Sequence, residues 1–147
     1  MTDNRMVLLL GGLLFCCAIQ DLIKKKVYLW VIGLGAIFLM ICILWMDNLD
    51  LANRMGGLMI GLSILALSKI TAGKIGMGDG LLLCVTGLGL GFWLNLELLG
   101  VALLLAATLS IVLLILRKVD RKQTIPFIPF LFVGYLILYA ASKGSMA

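Results

Sequence analysis

The chain has 147 residues, 63% of them hydrophobic, a mean hydropathy of +1.20 and a formal charge of +5 at pH 7. That length allows one domain, and that composition belongs to membrane proteins rather than soluble ones. Histidine is absent and the cations stand between apolar runs, which excludes His-based triads, the usual zinc sites and a continuous basic face for nucleic acid.

The first apolar run, 6–23, follows Arg5 and is broken near its end by Gln20 and Asp21. The basic cluster Lys24-Lys25-Lys26 comes after the run rather than before it, so a first transmembrane helix or signal anchor fits better than a cleaved signal peptide. Residues 27–46 form a second, uncharged span, long enough at ~1.5 Å per residue to cross a ~30 Å hydrocarbon layer. An acidic turn with Asp47 and Asp50 leads to a third span, 51–68, with Arg54 near its start, from where the side chain can snorkel to the interface. The loop 69–78 leads to a fourth span, 80–96. Glu97 marks the next turn, 98–116 is the fifth span, and a charged loop precedes the sixth, 123–142. Pro126 and Pro129 fall near the start of that last span, where proline costs a helix least. The expectation is an all-α, polytopic membrane protein with six transmembrane helices in one domain, 1–147.

Loops after spans one, three and five hold Lys24, Lys25, Lys26, Lys69, Lys74, Arg117, Lys118, Arg121 and Lys122, nine of the twelve cations. The other side holds Arg5, Arg54 and Lys143, with Asp3, Asp47, Asp50 and Glu97. The positive-inside rule then puts both termini outside and the three basic loops in the cytoplasm. Cys16, Cys17, Cys42 and Cys84 all lie in apolar runs without a CxxC pair, and read as buried free thiols. Gly57/Gly61 and Gly87/Gly91 have the GxxxG spacing of closely packed membrane helices.

Gly76-Met77-Gly78-Asp79-Gly80 sets a carboxylate among three glycines at the mouth of an apolar run. An acid there is costly in or beside lipid, and so a candidate for function. Gly76 and Gly78, lacking Cβ atoms, would let a substrate backbone approach the acid. Asp79 would equally serve as a helix-terminal acid for the span that follows. The topology sets Asp21, in the last turn of span one, at the same cytoplasmic boundary. The alternative for Asp21 is an interfacial acid neutralised by Lys24 or Lys25. Asp120 sits among four cations and reads as solvated. Two carboxylates brought close cannot both ionise easily. One then acts as general base on a water while the other donates to a carbonyl oxygen, which needs neither histidine, metal nor cofactor.

Over nearly its whole length the chain resembles the type IV prepilin peptidases, GxGD-type intramembrane aspartic peptidases. The resemblance rests on Asp21 with the stretch running to Val27-Tyr28-Leu29, on Gly76-Met77-Gly78-Asp79, and on Pro126-Phe127-Ile128-Pro129-Phe130 leading to Gly134, three motifs in order on six spans. Tyr28-Leu29 stands where the family usually has Pro-Asn, and Leu81 where it often has lysine. The cytoplasmic CxxC domain of the longer members is missing. The likeness is to the short form serving Flp/Tad-like or Gram-positive pilin systems, without an implied N-methylation. The family resemblance implies catalytic Asp21 and Asp79, no cofactor, and a pilin-like precursor as substrate. That precursor has a short basic leader, a small residue before the cut and an apolar helix after it, and is cut at the cytoplasmic face of the prokaryotic plasma membrane. Since loops and leader are both basic, apolar contact would have to supply affinity, with the loop cations facing anionic lipid. Two other readings are an inactive relative that binds pilin precursors and a small proton- or cation-coupled carrier.

Overall fold

In the computed structural model, residues 4–24, 29–44, 50–71, 76–116 and 127–144 are described. They form six helices: α1 (Asn4–Lys24), α2 (Leu29–Leu44), α3 (Leu51–Ile70), α4 (Met77–Leu90), α5 (Phe92–Ile115) and α6 (Ile128–Gly144). No strand occurs among the described residues, so the all-α expectation is met. Two of the six, α3 and α5, are long and apolar enough to cross a membrane, where the sequence led us to expect six spans. The apolar stretches of the others are shorter: Val7–Ile23, Trp30–Ile43, Met77–Leu90 and Ile128–Ser142.

α4 is the centre of the bundle. It touches α1, α2, α3 and α5, and most of its residues from Gly80 to Gly89 are buried. Its 14 residues measure only about 21 Å at the helical rise, which is why it falls short of a hydrocarbon layer on its own. α1 packs on α2 and α6, and α6 packs in turn on α5. The core joins Leu10 and Leu14 of α1, Leu82 and Leu83 of α4, Leu98 of α5 and Leu131 of α6, all essentially without exposure.

The outside is apolar too. On α2, Trp30, Leu34, Ile37 and Ile41 share one exposed face, and on α5, Leu104, Ile111 and Ile115 stand out from the bundle. Only 17% of the apolar window of α3 and 11% of that of α5 is buried, so neither is the enclosed core helix of a water-soluble domain. Apolar faces directed outward suit contact with lipid or with another apolar surface.

The closest packing is between α3 and α4, and glycines make it possible. A methyl at Gly57 would overlap the Gly87 carbonyl, a methyl at Gly87 would overlap the Gly57 carbonyl, and one at Gly61 would run into the Cys84 backbone. Gly57, Gly61 and Gly87 are therefore helix-packing positions, while Gly91, the last of the two GxxxG pairs, lies outside both helices. The break between α4 and α5 departs from the sequence reading, which put spans four and five at 80–96 and 98–116 with Glu97 in the turn. It lies instead at Gly91, whose φ of 84° suits a residue without Cβ, and Glu97 is an exposed residue inside α5. Charge was the misleading cue: an acid on an exposed helix face does not interrupt the helix. The start expected for the sixth span, 123–126, lies outside the described residues, and α6 begins at Ile128 with Pro129 in its first turn.

Candidate active site

Asp79 is the third residue of α4, in the first turn after the N-cap Gly76, and its own N–H bonds the Gly76 carbonyl at 3.1 Å. A carboxylate here faces the partly positive end of its helix. Its side chain folds back over Gly76: a Cβ at that position would stand 2.8 Å from Asp79 Oδ2 and 3.2 Å from its Cγ. A side chain at Gly76 would thus meet the acid itself, while the glycine is exposed. Gly78 lies half-buried in the same turn. Gly80, one residue past the acid, lets α4 approach α3, since a Cβ there would meet the Leu65 amide nitrogen at 3.0 Å.

Asp21 lies in the last turn of α1, 8% exposed. Its Oδ2 accepts a hydrogen bond from the Ile128 N–H, the first residue of α6, at 3.3 Å. Across the α1–α4 contact the charge of Asp21 bears on Asp79, so the two carboxylates are within electrostatic reach. The fold therefore brings together two acids that lie 58 positions apart in the sequence. One residue before Asp21 in the chain, the Gln20 Oε1 is buried with no hydrogen-bond partner. Cys17, one turn before Asp21 on the same helix, is buried within electrostatic reach of it.

The other candidates fall elsewhere. Asp50 caps α3, accepting the Asn53 N–H at 3.4 Å, and Glu97 is exposed on α5. Asp3, Asp47, Asp120 and the side chains of Lys24, Lys25 and Lys26 lie outside the described residues. Phe127 and Phe130 pack against the core and Gly134 is buried beside Val101 of α5, while Pro126 lies outside the described residues. Cys17 and Cys84 are buried, Cys42 is half-buried, and Cys16 is exposed, unlike the buried thiol expected; all four are free. Among the described residues, no group of three or more His, Cys, Asp or Glu is placed to hold a metal ion. An open apolar groove on the outer face of α2 is lined by Trp30, Gly33, Leu34 and Ile37, none of them a candidate site residue.

A second polar cluster was missed in the sequence. Asn95 of α5 is fully buried, donating from Nδ2 to the carbonyls of Gly57 at 3.2 Å and Leu83 at 3.1 Å, with its Oδ1 2.8 Å from the Thr86 hydroxyl. Nearby, Arg54 donates to the Leu88 carbonyl at 2.7 Å, and Asn53 Oδ1 accepts the Phe92 N–H at 2.9 Å, so α3 seals both sides of the Gly91 break. Single polar residues inside apolar runs were the available signal. This cluster ties α3, α4 and α5 together and carries no pair of acids. Compared with protein-family models, with curated proteins and with solved structures, the chain gives no match.

Proposed function

We propose that the chain is an intramembrane aspartic endopeptidase of the GxGD type, cleaving the leader of pilin-like precursors at the cytoplasmic face of a prokaryotic plasma membrane. The observation that carries this reading is the pairing of Asp21 and Asp79, half-buried or buried carboxylates delivered by two different helices. Burial in an apolar bundle is expensive for one acid and more so for two. Two carboxylates in that setting favour one proton between them over two charges, which is the condition for activating a water. In this reading all six helices lie in the bilayer, both termini face outward, and the short α4 brings Asp79 to the level of Asp21. The Pro-Phe-Ile-Pro-Phe segment, which a carrier would have no reason to keep, supplies the amide that Asp21 accepts.

Hydrolysis needs a water, a base and an acid. One aspartate takes a proton from water, whose oxygen bonds to the scissile carbonyl carbon, and the other gives a proton to the carbonyl oxygen. The exposed apolar faces of the helices offer the precursor's apolar helix a surface to dock on.

The test is cleavage by the purified chain in lipid of a substrate with a basic leader, a glycine and an apolar helix. Leader release is expected, and in ¹⁸O-labelled water the new C-terminal carboxylate should carry the label. Binding without release would favour the inactive relative. Proton or cation flux through the protein without release would favour the carrier.

A further inference from the structure

We infer that the first amide of α6 makes the two aspartates unequal, holding Asp21 as the water-activating carboxylate and leaving Asp79 to carry the shared proton. The inference rests on the peptidase reading and says which acid does what within it.

The asymmetry comes from how α6 begins. The first amides of a helix have no partner within it. Here Pro129 has no N–H, Phe130 donates to the Phe127 carbonyl at 3.0 Å, and Leu131 donates to the same carbonyl at 3.2 Å. The Ile128 N–H is the one first-turn donor left, and it goes to Asp21 Oδ2 at 3.3 Å. Seventeen residues of helix stand behind that amide, so its end adds partial positive charge. Asp79 has its own helix end too, in the first turn of α4, and the two helix-end effects are alike. The difference is the amide proton: among the described residues, nothing donates to the Asp79 carboxylate.

A donor hydrogen-bonded to the ionised form of a carboxylate favours that form, and a second carboxylate alongside favours the protonated form of its neighbour. Asp21 has less exposed surface than Asp79, which counts against a charge there, and the Ile128 donor acts in the opposite sense. Among the described residues, the titratable groups within electrostatic reach of Asp21 are Cys17 on its own helix and Asp79 from α4. The first two turns of α6 contribute none, and the described part of α2 has only Cys42, at its far end.

The assignment gives a balanced cycle. Asp21 takes a proton from water, the water oxygen bonds to the carbonyl carbon, and Asp79 passes its proton to the carbonyl oxygen, forming a gem-diol. The C–N bond then breaks, its electron pair stays on nitrogen, and the nitrogen takes the proton from Asp21. One gem-diol hydroxyl returns a proton to Asp79 as the new carboxyl group forms. Asp21 ends ionised and Asp79 protonated, as they began.

The experiment uses the full chain in lipid with one site aspartate at a time. The infrared carboxylic-acid band of isotope-labelled aspartate is followed against pH in Asp79→Asn and in Asp21→Asn, with the double variant as background. Asp21 alone should give up its proton at a lower pH than Asp79 alone, by on the order of one pH unit. Replacing the residue 128 amide by an ester, with the α-hydroxy analogue of isoleucine, should move the Asp21 midpoint up towards that of Asp79. Ile128→Pro also removes the N–H and serves where the ester protein does not assemble. The reverse order, or a midpoint unmoved by loss of the amide, would overturn the assignment. None of this needs a substrate, so a chain that cleaves nothing defeats the peptidase reading while the titration order still decides this one.

Discussion

The Asp79 carboxylate lies over Gly76, so close that a methyl on that glycine would stand 2.8 Å from Oδ2. The far end of a side chain can turn away from such a clash more easily than a helix can move. Gly76→Ala should therefore re-aim the acid at little cost to the fold. Leader cleavage should fall by on the order of a hundredfold, the scale of a misplaced reacting group, while the thermal midpoint stays near that of the wild type. Parallel rate and melting measurements check this, and equal losses in both would mean that Gly76 serves packing instead.

Gly61 and Gly87 meet backbone rather than a movable side-chain tip. Gly61→Ala or Gly87→Ala has to push α3 and α4 apart, and each should cost about 1–3 kcal/mol of stability. Denaturation in detergent should show the loss for both, whereas Gly100→Ala, where a methyl meets nothing within 4 Å, should leave stability unchanged or slightly raised.

Asn95→Ala strips the Gly57 and Leu83 carbonyls of a donor and leaves the Thr86 hydroxyl without its side-chain partner. The cost should be roughly 1–2 kcal/mol, with Asn95→Leu no better, because two buried carbonyls each lose one of their hydrogen bonds and the buried Thr86 hydroxyl loses its side-chain partner. Since the cluster does not touch either aspartate, the pH profile of cleavage should keep its shape. A changed profile would place Asn95 in the catalytic machinery.

The electrostatic influence of Asp21 on Asp79 gives a prediction about proximity alone. In a background lacking the four native thiols, cysteines at 21 and 79 should be bridged by a short bifunctional reagent. Cysteines at 21 and 97 should not, because Glu97 lies on α5, which makes no extensive contact with α1.

The helices were legible in the sequence because apolar runs and charged breaks repeat along it, and the candidate acids because few charges interrupt those runs. The distribution of loop charges led us to expect Asp21 and Asp79 at one membrane boundary. Three things were not legible. The α4–α5 break follows from the backbone angle of Gly91 rather than from the charge of Glu97. What a side chain at Gly76 would meet depends on where the Asp79 side chain points, which spacing does not encode. The tie from Ile128 to Asp21 spans 107 positions and uses a main-chain N–H, which every residue but proline has, so no side-chain pattern marks it.

The central claim is that two aspartates on different helices activate one water. The most direct test is leader release from a prepilin-like substrate by the purified wild type, Asp21→Asn and Asp79→Asn, each shown to be folded. Release by the wild type and by neither variant is the predicted result. Release that persists in either variant would contradict the paired mechanism.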